Sequence, residues 1–281
     1  MQIIHDAAGA IACGAGDVFI CAGVESMSRV PMAGFNPAPN PKLFRKFPAA
    51  YESMGITAEN VAKKYKISRK DQEEFAVLSH QKAASAQDMG KFDDEIVPIG
   101  EVARDGCIRA DTNVESLGSL KPAFTKRGTV TAGTSSPLTD GASAVLVVSE
   151  EYAERNGLEK IARIKSFSVS GCKPDIMGIG PISATRKVLD RTALDINNID
   201  IIELNEAFSS QSLTVIKELK INTGKLNLDG GAIALGHPLG ASGARITGKA
   251  ATLLRRQGGK YALSTMCIGG GQGVATILEA V

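Results

Sequence analysis

The chain predicts an α/β layered fold, and three observations carry that expectation. From residue 160 onward, short apolar runs of β-forming residues alternate with segments of helical periodicity. The first 25 residues already pair an Ala-rich helical stretch with a short apolar strand-like run. Hydrophobic content is 43% and charged content 22% over 281 residues, an ordinary soluble balance. A chain of this length can bury a full core, as one large domain or as two of about 100–150 residues each.

The elements follow in order. Residues 1–13 are apolar at helical spacing and stop at Gly14 and Gly16, which reads as a buried helix. Asp17 to Val24 reads as a buried strand. Residues 27–50 hold Pro31, Pro37, Pro39, Pro41 and Pro48 and read as irregular. Thr57-Ala58-Glu59-Asn60 opens an amphipathic helix, and Ser68-Arg69-Lys70-Asp71 opens a second that runs to about Met89. Residues 91–130 read as loop-rich. Ala142 to Val148 is a strand, and Ser149-Glu150-Glu151 starts a helix. Beyond it, strands are expected at 162–169, 199–204, 226–228, 260–266 and 273–278, and helices at 184–191, 207–219 and 241–256. Each half closes on a helix–strand–turn–strand pattern, although no internal repeat is visible in the residues themselves.

Composition narrows the function classes. The net charge of +2 gives no global pull toward nucleic acid or an anionic membrane. No apolar run approaches the ~18 residues a membrane span needs, and residues 1–15 have no basic n-region of a secretory signal. Cys13, Cys21, Cys107, Cys172 and Cys267 form an odd, scattered set, which argues against a disulfide framework and for a reducing compartment. His5, His80 and His237 lie far apart without partners at metal spacing, so no metal site is expected.

Three segments in the last quarter place reactive side chains where the backbone is tightly constrained. Asn205, in Asn205-Glu206-Ala207-Phe208, follows an apolar strand at its C-terminal end, where ligands gather in α/β sheets. Its plainer reading is an N-cap of the next helix. His237 is clamped between Gly236 and Pro238, which aims the ring instead of carrying it on a helix face; its plainer reading is a satisfied core histidine. Cys267 ends a strand and is followed by Gly269, Gly270, Gly271 and Gly273, whose backbone N–H groups can converge on one point. There it reads either as a thiol of lowered pKa or as a small buried side chain at a tight turn. Gly240-Ala241-Ser242-Gly243 lacks the Lys-Ser/Thr of a phosphate loop. The glycines after Cys267 lack the acidic ribose partner of a dinucleotide fingerprint. Three such residues at the mouth of one α/β half point to a site that polarises a carbonyl and moves protons beside it.

In order and spacing, Asn205-Glu206-Ala207-Phe208, Gly236-His237-Pro238 and Cys267-Ile268-Gly269-Gly270-Gly271 resemble the catalytic half of the thiolases, the acyl-CoA acyltransferases, and the resemblance extends over essentially the whole chain. It implies a duplicated five-layer α-β-α-β-α fold. Residues 1–155 would be the remnant of an N-terminal domain, with a loop domain at about 27–130, and residues 156–281 the C-terminal domain. It implies that His237 and a water held by Asn205 form one oxyanion hole, that Cys267 exchanges the α-proton, and that the Gly269 N–H helps form a second oxyanion hole. It further implies that Arg109, Leu120 and Phe124 line the nucleotide of coenzyme A. Ala132 and Ser136 would touch the adenine and the pantetheine amide, and Met54, Ala207 and Phe208 would flank the pantetheine arm. Pro137 stands where many thiolases have Gly. The plainer reading of each of these binding residues is a turn or loop-core position.

The same resemblance sets further expectations. The activity would be thiolytic cleavage of 3-ketoacyl-CoA, or Claisen condensation of acetyl-CoA units, of the kind found in fatty acid β-oxidation. Coenzyme A and acyl-CoA would be substrates, with no permanently bound cofactor. The partners would be acyl-CoA, not nucleic acid or membrane, and the full-length assembly a homodimer or homotetramer in the cytoplasm or an organellar matrix. Thiolases carry their nucleophile in a Cys-x-Ser-Gly stretch, which is found nowhere in residues 1–281. Met1 to Gly9 resembles the segment directly after it. The expectation is therefore an N-terminal half without its first three strands and two helices, and a chain inactive alone. The rival is a non-catalytic CoA- or acyl-CoA-binding remnant.

Overall fold

The computed structural model describes residues 1–281 and places the chain in four stacked layers. The first is a two-stranded antiparallel sheet of β1 (Val18–Ser26) and β2 (Asp140–Val148), in register from Val18↔Val148 to Ser26↔Asp140. Behind it lies a helical layer of α1 (Gln2–Ala12) and α10 (Leu239–Gln257). The third layer is a four-stranded sheet in the order β3 (Arg163–Gly171), β6 (Gln272–Glu279), β5 (Tyr261–Ile268), β4 (Ile201–Leu204). Its pairings are antiparallel except for the parallel β4–β5 pair. On its far side lie α7 (Gly180–Thr192) and α8 (Ser209–Leu219). The first 150 residues also supply α2 (Pro41–Lys46), α3 (Met54–Tyr65), α4 (Arg69–Asp88) and α5 (Val114–Gly118), and two short helices, α6 (Glu150–Arg155) and α9 (Ala232–Leu235), join the later elements.

Burial explains why the four-stranded sheet dominates the fold. Every residue of β4 is buried, as are six of the eight in β6. Such two-sided burial follows from helices on both faces of a sheet. Its largest core cluster joins Val188 and Leu189 of α7, Ile202 and Leu204 of β4, Val215 of α8, and Ile277 of β6. On the opposite face α10 contributes Leu253 and Leu254. Each fully buried aliphatic side chain of this kind stabilises the fold by about 1.5–3 kcal/mol. His5 of α1 ties the helical layer to this sheet: its ring stacks on Phe167 at 4.3 Å, and its Nε2 lies 2.7 Å from Thr276 Oγ1.

The structure departs from the sequence-based expectations at several places. Residues 226–228 are not a strand: only Leu226 bridges Ile202, and Asn227 adopts a left-handed φ of 42°. The Asn227 side chain supplies the pairing instead, accepting from Leu204 N–H and donating to Leu204 O, both at 2.9 Å. The segment 27–50 contains α2, which is capped by Asn40 and opens on Pro41. Residues 91–130 contain α5, capped by Asn113. Several helices also begin away from their expected starts: α3 at Met54, α7 at Gly180 and α10 at Leu239 start early, while α8 starts late at Ser209. The delay in α8 has a long-range cause. Phe208 bridges Ser135, and Ala207 O accepts from Ser136 N–H at 3.0 Å, so Ala207 and Phe208 stay extended.

Candidate active site

Adjacent parallel strands end at the same place and set the site. β4 pairs with β5 through Leu204↔Thr265, and the Asn205 N–H carries the ladder one step further by donating to Thr265 O at 3.0 Å. Asn205 and Cys267 therefore emerge at the C-terminal end of neighbouring strands. Asn205 is not a helix cap: α8 is entered through Phe208, with no side-chain cap. Its amide Nδ2 lies 3.2 Å from His237 Nε2, and both side chains are buried.

His237 reaches this position through a turn that only a glycine suits. Gly236 has φ of 91°, and a Cβ there would come within 2.5 Å of Thr139. Thr139 Oγ1 in turn accepts from the His237 N–H at 3.3 Å. On the other side of the ring, Nδ1 lies 2.6 Å from Ser242 Oγ in the first turn of α10. Burial depresses the imidazole pKa to about 4, with the Arg245 charge acting in the same direction, so the ring is neutral at physiological pH.

Cys267 sits in an apolar cluster with Ala58, Val130, Met177, Ala207 and Phe208, and Met54 packs against it. Burial pushes its thiol up to about 12. A lowered pKa is thus corrected to the reverse: no cation faces the sulfur, and removal from water disfavours the thiolate. The glycine turn that follows takes positive φ at Gly270 and Gly271, which lets β5 fold straight back into β6.

The candidate binding residues gather around this cluster to different degrees. Phe124 meets Phe208 edge to face at 6.0 Å between ring centroids. Ser136 is bonded to Ala207, and Gly269 adjoins Met54, whose Sδ lies 3.7 Å from where a Gly269 Cβ would be. Leu120 packs with Leu117 around Gly133, beside Ala132. Arg109 stands apart: its backbone N–H donates to His80 Nδ1 at 3.1 Å, while its side chain is exposed.

Sequence reasoning missed the polar groups beneath the site. The Glu206 carboxylate accepts from Ser79 Oγ at 2.6 Å, Asn227 Nδ2 at 2.7 Å and the Ile233 N–H at 3.2 Å, and burial raises its pKa. Asp229 pairs with Lys249 and Arg256, each at 2.7 Å. Glu203, also buried, is lifted to about 8 by loss of water. Glu206 adjoins Asn205 in sequence, so its acidic type was visible, but its partners come from α4 and from the 227–233 turn. No local spacing reveals them.

The chain matches two family models, "Thiolase, N-terminal domain" over residues 1–151 and "Thiolase, C-terminal domain" over residues 158–280. It is 51% identical to a 3-ketoacyl-CoA thiolase of Marinobacter nauticus, across 100% of this chain and 75% of that protein. A 3-ketoacyl-CoA thiolase of Bacillus subtilis is 46% identical, across 99% of this chain and 76% of the relative. Among solved structures, human mitochondrial 3-ketoacyl-CoA thiolase in complex with CoA superposes with a TM-score of 0.91 at 40% identity, covering 100% of this chain and 75% of that one. The dimeric peroxisomal thiolase of Saccharomyces cerevisiae gives a TM-score of 0.93 at 42% identity, covering 100% and 73%. With both halves matched and the fold shared along its whole length, this chain belongs to the thiolase family.

Proposed function

We propose that the chain carries the enolate-forming half of a thiolase site that acts on acyl-CoA thioesters. The observation that supports this reading best is the buried Asn205–His237 pair, 3.2 Å apart, beside Cys267 at the end of the neighbouring strand. In the cleavage direction the bond between the α- and β-carbons of a 3-ketoacyl-CoA breaks, and its electron pair stays on the α-carbon as an enolate. The thioester oxygen takes the charge and is held by His237 and by a water bound to Asn205. Cys267, a thiol at rest, gives its proton to the α-carbon; condensation runs these steps in reverse. Preorganised donors matter here because a thioester α-carbon is a weak acid. The Gly269 N–H serves a second oxyanion hole at the acyl group. Phe124, Leu120, Ala132, Ser136, Met54, Ala207 and Phe208 flank coenzyme A, with Arg109 at its nucleotide end.

The acyl group released by cleavage needs a nucleophile, and residues 1–281 contain no Cys-x-Ser-Gly. Cys13 cannot replace it: it lies about 18 Å along α1 from Met1, at ~1.5 Å per residue. Cys21 is buried in β1. We therefore propose that the 281 residues alone do not turn over; the second reading is a CoA-binding thiolase-like protein without catalysis. The domain boundary near residue 155, assembly as a homodimer or homotetramer, a place in fatty acid β-oxidation and a cytoplasmic location belong to the same proposal.

A chain extended upstream of Met1 to carry Cys-x-Ser-Gly is expected to cleave acetoacetyl-CoA with free CoA. His237→Ala and Cys267→Ala should each lower its kcat/KM by about a hundredfold or more. The 281-residue chain incubated with acetyl-CoA should show no covalent acetyl adduct by intact mass. Full activity in both variants would refute the mechanism, and an adduct on Cys13 or Cys21 with turnover would refute the inactivity. CoA binding with no activity in the extended chain would leave the second reading standing.

A further inference from the structure

The polar chain behind His237 determines where the imidazole carries its proton. A neutral imidazole has one N–H and a serine hydroxyl one O–H, so the chain Asn205–His237–Ser242–Pro238 admits only two proton arrangements. In the first, Nδ1–H donates to Ser242 Oγ, the hydroxyl donates to Pro238 O at 2.9 Å, and Nε2 is left as an acceptor. In the second, the hydroxyl donates to Nδ1 and the proton sits on Nε2.

Two observations favour the second. Pro238 O already accepts from the Ala241 N–H at 3.0 Å and the Ser242 N–H at 2.9 Å, which fills its two lone pairs and leaves the hydroxyl proton no good place there. The contact to Nδ1, at 2.6 Å, is the shorter of the two the hydroxyl makes, as expected of the bond it donates. The Asn205 amide does not discriminate between them, because whichever end faces Nε2 the other end is left without a partner.

We infer that Ser242 is a positioning residue, which donates its hydroxyl proton to His237 Nδ1 and so fixes the ring as the Nε2–H tautomer facing the site. This rests on the proposed function only for its consequence: Nε2–H can donate to a thioester oxygen, whereas a bare Nε2 would repel it. The tautomer itself is a property of the folded chain.

The test reads the proton directly and needs no turnover. The chain has three histidines, so labelling them with nitrogen isotope and recording long-range nitrogen–proton NMR spectra at neutral pH gives three ring patterns. His237→Ala assigns the one of interest by its loss. The wild-type chain is expected to show the Nε2–H pattern for His237. Ser242→Ala should lose that single pattern in favour of Nδ1–H or a mixture, and Ser242→Thr, which keeps the hydroxyl, should restore it. A wild-type Nδ1–H pattern would overturn the inference, as would an unchanged Nε2–H pattern in Ser242→Ala. Should the alanine variant not fold, the wild-type tautomer and the threonine variant still decide. Failure of the acetoacetyl-CoA assay would leave this result untouched, so the two claims fail separately.

Discussion

At the scale of single residues, the site is made by burial more than by charge. Cys267 has no cation against it and is held as a thiol by loss of water, with a pKa pushed up to about 12. Thiolate is the reactive form, and its fraction rises about tenfold per pH unit up to the pKa. Cys267 should therefore be alkylated by iodoacetamide at pH 8 at least about a hundredfold more slowly than the exposed Cys13, and its rate should still be climbing well above pH 9. Peptide mass spectrometry over a time course measures both in one sample. Modification of Cys267 at a rate matching Cys13 would mean that the apolar cluster of Phe208, Met177 and Met54 does not exclude water as the structure indicates. A resting thiol also suits the proposed direction of proton transfer, because the enolate left by bond cleavage needs an acid beside it.

At the scale of elements, β4 and its surroundings position Asn205, and the side chain of Asn227 finishes the edge of that strand. It makes two hydrogen bonds to the Leu204 backbone and a third to Glu206. Asn227→Ala leaves a buried N–H, a buried C=O and part of a buried carboxylate unpaired, and it strains a left-handed φ that Asn tolerates better than Ala. A loss of at least about 3 kcal/mol is expected, a Tm drop of at least about 6 °C. Asn222→Ala removes only an exposed cap and should cost about 1 kcal/mol. Equal effects in thermal melts would refute the clamp. This clamp also marks the limit of what the sequence reveals. The strands and helices after residue 160 were legible because each has its own period of 2 or 3.6. His237, Cys267 and Asn205 were legible because glycine, proline or a strand end flanks them. The strand expected at 226–228 failed because the Asn227 side chain, in place of its backbone, pairs with Leu204, 23 positions away. α2 was hidden by proline density although Asn40-Pro41 is an N-terminal signal, and the late start of α8 comes from a bridge to Ser135, far away in sequence.

At the scale of the whole molecule, the layers are unequally protected. The four-stranded sheet has helices on both faces, but the two-stranded sheet is covered only by α1 and α10. On its other face Ile20 is 77% exposed, Val24 74% and Leu146 55%. Beside it an apolar groove of about 330 Å³ runs between α1 and β1, lined by Ile3, Ala7, Ala10, Phe19 and Ile20. β1 pairs only with β2, so its other edge presents unpaired backbone groups next to these side chains. An exposed apolar face joined to an open strand edge is a template for association between chains. The net charge of +2 offers little electrostatic repulsion to oppose it. The 281-residue chain is therefore expected to self-associate at micromolar concentration. Light scattering coupled to size exclusion should give a mass of at least twice 29.4 kDa, or material lost to aggregation. Ile20→Lys with Val24→Lys places two charges on the bare face without touching the core, and should shift the mass toward the monomer. A wild-type chain that runs as a clean monomer would contradict the expectation. An association that survives both lysines would move the contact elsewhere, to the exposed Phe35, Phe44 and Phe47 around α2, where the same measurement with those three replaced by Ser would find it.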